Sequence, residues 1–244
     1  MNDLARAAEL IAKTRRLAIL TGAGVSAESG VPTFRGPNGF WRGRDPQTLA
    51  TPEAFAADPK TVWEFYNARR ARLRHVQPNP AHFAIAALAE NLPDVTVVTQ
   101  NVDRLHQRAG SRNVVEIHGN IEDVRCSRCG RVENKTGDEL PPLPVCPACG
   151  GLFRPAVVWF GEELPLDAWT NAQRAVERAE TLLVVGTSAL VYPAAGLIRL
   201  AHNPDQSIIE INPEPTPFSA TVTISIPGKA GEILPRLVPA SPTA

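Results

Sequence analysis

Leu17-Ala-Ile-Leu-Thr-Gly-Ala-Gly-Val-Ser-Ala27 carries a strand-to-turn pattern that recurs along the chain. The apolar run Leu17–Leu20 ends at Thr21-Gly22, as a buried strand entering a tight turn does. Gly22, Gly24 and Ala27 then fit G-x-G-x-x-G/A at the opening of a helix. Glycine there allows a tight turn and close backbone approach to a pyrophosphate, with amides at a helix start facing negative charge. A purely structural turn is the alternative on these six residues alone. No acid is evident about 20 residues further on, where a dehydrogenase holds its ribose; Pro32 and Gly36 occupy the adjacent stretch. No G-K-[ST] follows, which excludes an ATPase P-loop.

The same grammar recurs downstream. Val95–Val98, Thr181–Val185 before Gly186, and Ser207–Ile211 before Asn212 are short apolar runs ending at turn residues. Helical spacing appears at 3–15, 80–90, 166–180 and 193–202. Buried strands alternating with helices predict an α/β fold, a doubly wound, Rossmann-like parallel sheet whose ligands sit beyond the carboxyl ends of the strands. Two segments interrupt it. Residues 37–78 hold two helices, signalled by Thr51-Pro52 and Asp58-Pro59. Residues 122–156 hold all four cysteines and the Pro141–Pro144 stretch. The expected organisation is a main domain of 1–36, 79–121 and 157–244, with 37–78 and 122–156 forming a smaller lobe.

Cys126-x-x-Cys129 and Cys146-x-x-Cys149, 16 residues apart, have the spacing of a tetrahedral zinc site. Four thiolates close the coordination shell, so the metal is expected to be structural. Two disulfides or free thiols are the alternative, disfavoured because the N-terminus has no secretory pattern. No stretch has the length of apolar sequence that crosses a bilayer, and a cytoplasmic location is expected. The 244 residues carry 25 Lys+Arg and 25 Asp+Glu, with 43% hydrophobic content. That balance gives no electrostatic reason to expect nucleic-acid binding.

Of five histidines, His75 and His202 lie in polar helical contexts, and His82 and His106 suit structural roles. His118 ends the apolar stretch Val114–Ile117 before Gly119, and an imidazole there suits a general base. Gln100, Asn101 and Asp103 follow the strand at 95–99, where they could fix hydroxyls or simply build a turn. Tyr66 and Arg69, three residues apart on a helix, share a face. Arg69, Arg70, Arg72 and Arg74 read by themselves as a solvated basic helix.

Taken together, Gly22–Gly36, Thr99–His106, Ile117-His118-Gly119, the paired C-x-x-C motifs, Val157–Glu162, Gly186–Ser188 and Ile211–Glu214 resemble the sirtuin family, in its order and over about residues 20–230. The resemblance implies an NAD-consuming protein-lysine deacylase with NAD as co-substrate and one structural Zn2+. It implies His118 as general base and Asn101 as the residue orienting the nicotinamide ribose. It implies cofactor contacts from Gly22, Ala23, Gly24, Ser26, Ala27, Phe34, Arg35, Trp41, Gln100, Asp103, Gly186, Thr187, Ser188, Asn212, Pro213, Glu214 and Ala230. Substrate contacts are implied for Tyr66, Arg69, Val157, Trp159, Phe160, Gly161 and Glu162. Nicotinamide would leave as the acyl oxygen attacks the ribose, and O-acyl-ADP-ribose and free lysine would result.

Thr33 stands where many sirtuins have aspartate, and Tyr66-x-x-Arg69 resembles the class III sirtuins. This implies a preference for succinyl and malonyl groups beside acetyl, since a guanidinium pairs bidentately with the terminal carboxylate of such chains. Acyl-lysine proteins or peptides are the expected partners, and a monomer is the expected state. Protein mono-ADP-ribosylation is the nearest rival activity. A non-enzymatic zinc-ribbon nucleic-acid-binding module is the distant one.

Overall fold

The computed structural model describes residues 2–32, 41–201 and 203–239. Six strands form one all-parallel sheet: β1 (Arg16–Thr21), β2 (Asp94–Thr99), β3 (Val114–Glu116), β7 (Thr181–Val185), β8 (Ser207–Asn212) and β9 (Ile224–Pro227), in the order β3-β2-β1-β7-β8-β9. The strand order reverses between β1 and β7, and a crevice for ligands opens at such a switch point.

Alternate residues of β1 serve opposite faces. Leu17 and Ile19 join a core with Ala7 and Ile11 of α1 (Asp3–Lys13) and Ala84, Ile85 and Leu88 of α6 (Pro80–Asn91). Ala18 and Leu20 join the other core with Ala172 and Val176 of α8 (Leu166–Arg178) and Leu197 and Ile198 of α9 (Gly196–Leu200). Burial on both faces is why the central strands β1 and β7 are almost continuously apolar rather than alternating.

The interrupting segments pack on each other. Residues 46–75 supply α3 (Pro46–Leu49), α4 (Pro52–Ala57) and α5 (Pro59–His75). Thr51 Oγ1 accepts from Ala54 N at 3.0 Å and Asp58 Oδ1 from Thr61 N at 3.1 Å, each with proline at the first helical position. Around the cysteines lies a three-stranded antiparallel sheet of β4 (Gly119–Cys126), β5 (Val132–Asn134) and β6 (Phe153–Val157), in the order β5-β4-β6. Trp63, Phe65, Ile121, Val124 and Phe153 form a third core between α5 and this sheet.

Arg70 is buried within that contact, donating to the carbonyls of Ile121 and Lys135, each at 2.6 Å, and of Glu122 at 3.0 Å. The basic run on α5 is therefore not one solvated face. Arg70 crosslinks two segments far apart in sequence, while Arg74 is exposed beside Glu139.

α1 is shorter than its sequence spacing predicts, because Thr14 caps it and turns the chain into β1; α9 starts at Gly196 rather than at 193. β9 carries no sequence signal comparable to the other strands; it adds to the sheet by pairing Ile209 with Ile224 and Ile211 with Ile226. No described helix is long and apolar enough to cross a membrane.

Candidate functional site

The loops after β1 and β7 meet at the switch point with almost no side-chain volume between them. Gly22 N donates to Val185 O at 3.1 Å and Gly24 N to Gly186 O at 2.8 Å. A Cβ on Gly24 would lie 2.7 Å from Gly186 O, and one on Gly186 would lie 2.5 Å from Val25 N. The glycines thus serve first to let two backbones cross. The helix they open, α2 (Gly24–Ala27), is a single turn.

Other loops converge on the same edge. Gln100 Nε2 reaches Thr187 Oγ1 at 3.1 Å, bridging the loops after β2 and β7. Asn101 is buried, and its amide nitrogen donates to Gly22 O and Ser26 Oγ, both at 3.1 Å. Asp103 accepts from Leu105 N at 3.0 Å and from the Ser26 hydroxyl; burial pushes its carboxyl above the usual range. Beyond β8, Asn212 Nδ2 donates to Glu214 O at 2.6 Å, with Pro213 and Glu214 exposed. Ala230 begins α10 (Ala230–Ile233), which is held to the glycine loop by Gly231 N donating to Glu28 Oε2 at 2.8 Å.

His118 lies at the carboxyl end of β3, half-buried, with Nδ1 2.9 Å from Gln100 O. A carbonyl only accepts, so Nδ1 carries the proton and Nε2 of the neutral ring is left as a base. Burial lowers the imidazole pKa, against the opposing pull of the Gln100 carbonyl. The neutral, proton-accepting form is thereby favoured. Gly119, at φ 67°, lets β4 start immediately after the histidine; a Cβ there would sit 2.1 Å from Ala156 O.

His82 and His106 are fully buried beneath this edge, their rings 5.0 Å apart. Thr21 Oγ1 donates to Thr99 Oγ1 at 2.8 Å, so His106 Nε2 donates to Thr21 Oγ1 at 2.9 Å, leaving His106 Nδ1 without a partner. His82 Nδ1 accepts from Asn79 N at 3.3 Å, and Nε2 faces Ser26 Oγ at 3.4 Å. Burial depresses the pKa of His82 to about 4, and burial followed by the neighbouring His82 depresses that of His106 to about 3, from the ordinary 6.5. Both rings fold neutral, whereas the unfolded chain protonates them below about pH 6.5. Stability should therefore fall as pH falls, by about 2 kcal/mol per histidine between about pH 7.5 and about pH 5. Urea unfolding at the two pH values measures it, and the double variant His82→Gln/His106→Gln should show a flatter dependence. A wild-type protein equally stable at both would mean that the buried rings take up protons.

A second wall comes from α5 and the segment after β6. Tyr66 is buried, and its hydroxyl accepts from Trp159 Nε1 at 2.9 Å. Arg69 is half-buried one turn on, its guanidinium 5.5 Å from the Phe65 ring. Desolvation lowers the pKa of Arg69, while Tyr66 and Asp103 act in the opposite direction. Val158 N donates to His118 O and Phe160 N to Ala50 O, both at 2.9 Å, so this segment is tied both to the histidine and to the helical insertion. Glu162 is engaged within it: its carboxylate pairs with Arg154 at 2.5 and 2.9 Å and accepts from Trp159 N at 2.9 Å. Val157 is buried, while Phe160 and Gly161 are exposed. Trp41 packs edge-on against Phe65 at 5.7 Å.

The four cysteine sulfurs all lie within 4.8 Å of one another and form no disulfide. Cys126 and Cys149 are 3.4 Å apart, and Cys129 and Cys146 are 3.8 Å apart. A zinc ion with bonds of about 2.3 Å requires tetrahedron edges of about 3.8 Å, so the donor set fits. The backbone N–H groups of Arg128 and Gly151 point at the sulfurs of Cys126 and Cys149, each at 3.4 Å, and orient them.

Thr33, Phe34, Arg35 and His202 lie outside the described residues. His75 is exposed at the end of α5. Arg154, which supports the Val157–Glu162 segment, carries no signal in the sequence. No motif points to it; a lone arginine in a strand becomes notable only once its partners are known.

The Sir2 family profile matches residues 22–193. NAD-dependent protein deacylase 2 of Pyrobaculum aerophilum is 52% identical over 233 residues, covering 95% of this chain and 93% of that protein. NAD-dependent protein deacylase 1 of Archaeoglobus fulgidus is 50% identical over 229 residues, covering 93% and 94% respectively. A crystal structure of a Sir2 homologue in complex with NAD superposes with a TM-score of 0.91 at 48% identity, covering 96% of this chain and 92% of that one.

Proposed function

We propose that this chain, which belongs to the Sir2 family and is an NAD-dependent protein deacylase, removes succinyl and malonyl groups, besides acetyl, from protein lysines. The observation that carries this reading is the pair Tyr66 and Arg69, set on one face of α5 beside the Val157–Glu162 segment. A guanidinium and a phenol there can bind a carboxylate that acetyl lacks.

NAD is the co-substrate, and bound NAD supplies a ribose carbon from which nicotinamide departs. The chain's residues do the rest. The crossed glycine loops and Thr187 hold the pyrophosphate, and Asn212 with Glu214 holds the adenine-side ribose. Asn101, whose amide nitrogen is fixed on Gly22 O and Ser26 Oγ, offers its amide oxygen to the nicotinamide ribose. Asp103 holds the nicotinamide carboxamide. His118 Nε2 takes the proton of a ribose hydroxyl, with the ring held by Gln100 O. Cys126, Cys129, Cys146 and Cys149 hold one structural Zn2+, which offers no open position for substrate. In this reading 37–78 and 122–156 form the small domain, supported by the Arg70 crosslink.

Arg69→Met tests the acyl assignment. It should lower kcat/KM for a succinyl-lysine peptide about 100-fold, the loss of a charge-assisted bidentate pair, and lower the acetyl rate far less. A panel of acetyl, malonyl, succinyl and glutaryl peptides measures it. Equal loss on all would sink the assignment.

A further inference from the structure

We infer that Trp159 is a positioning residue for acyl specificity: its indole N–H, donated to the Tyr66 phenol, turns the Tyr66 hydroxyl proton toward the acyl carboxylate. This rests on the acidic-acyl reading above.

An indole N–H only donates, whereas a phenol both donates and accepts. With Trp159 Nε1 2.9 Å from Tyr66 Oη, one lone pair of the phenol oxygen is occupied. The phenolic proton prefers the ring plane and so has two orientations; a donor arriving on one side leaves it the other. Without that donor, the phenol could equally present a lone pair to the carboxylate, which repels. Burial pushes the Tyr66 hydroxyl up to about 12, so it keeps its proton at any working pH.

Trp159 is itself held with little freedom. The Arg154 guanidinium lies 3.3 Å from the centre of its ring, and Phe55 packs at 5.3 Å. Glu162 binds both Arg154 and the Trp159 amide. Arg154 and Trp159 are both almost fully buried. A guanidinium on an indole face, locked by a bidentate carboxylate, is a rigid support. The chain Arg154–Glu162–Trp159–Tyr66 thus ends in one oriented O–H beside Arg69. An acetyl group has no carboxylate to read that proton; a dicarboxylic acyl group does.

Trp159→Phe keeps an aromatic ring and removes the N–H. The readout is the ratio of kcat/KM for succinyl over acetyl peptide, in which any loss common to both cancels. The ratio should fall about tenfold, through KM for the succinyl peptide, as expected for one hydrogen bond. In a Tyr66→Phe background, Trp159→Phe should lower the ratio no further. An unchanged ratio in Trp159→Phe, while Arg69→Met lowers it, overturns the inference and leaves the acidic-acyl reading intact. An equal fall in both backgrounds overturns it too, since Trp159 would then act without Tyr66. No effect of Arg69→Met removes the reading and the inference together. Should circular dichroism show Trp159→Phe misfolded, benzothienylalanine at position 159, which keeps the bicyclic shape without the N–H, gives the same test.

Discussion

His118→Tyr should abolish deacylation while NAD still binds. The base in question is Nε2, left unprotonated because Nδ1 donates to Gln100 O. A phenol in its place is protonated at neutral pH and takes no proton from a ribose hydroxyl. General-base catalysis contributes about 10²–10⁴-fold, and a fall of about 10³-fold or more in kcat is expected. The groups proposed to bind NAD lie mostly on other loops, after β1, β2, β7, β8 and β9, so calorimetry should detect NAD binding of similar strength. Mass spectrometry of the peptide measures turnover. Turnover retained within tenfold would show that another group is the base.

Cys146→Ser should have the largest effect on stability. Cys146 is 1% exposed and shares a core with Val124 and Phe153. Structural zinc contributes about 10–16 kcal/mol of apparent binding free energy in small domains. Losing one of four thiolates should release the metal, seen as loss of about one zinc per chain by atomic emission. The β4-β5-β6 sheet should loosen, and the melting temperature should fall by roughly 10 °C or more. Because β6 leads directly into Val157–Glu162, acyl-lysine turnover should fall with it. A variant that keeps both metal and melting temperature would refute a structural zinc site.

The parallel sheet was legible because a strand buried on both faces must be continuously apolar, and four such runs each end at a turn residue. The cysteine spacing was legible because a tetrahedral site constrains local geometry. Helix starts at Thr51 and Asp58 were legible because capping is a short-range hydrogen bond. β9 was not legible: its four residues are strand only by pairing with β8. Arg70 was not legible either, since a basic residue in a basic run gives no sign that it will be buried under four carbonyls.

The site divides in the same way. Which residue types follow each strand was legible along the chain, because the order of the loops is local: a glycine turn, Gln-Asn-x-Asp, His-Gly, Gly-Thr-Ser and Asn-Pro-Glu. How these loops act together depends on their meeting in space. The reversal of strand order between β1 and β7 brings Gly24 against Gly186, which gives those glycines a packing role that their motif does not state. The carbonyl of Gln100 selects the tautomer of His118, and Trp159 occupies the phenol of Tyr66 from 93 positions away in sequence. Such contacts depend on directions in space between segments that are remote along the chain, and no spacing rule records them.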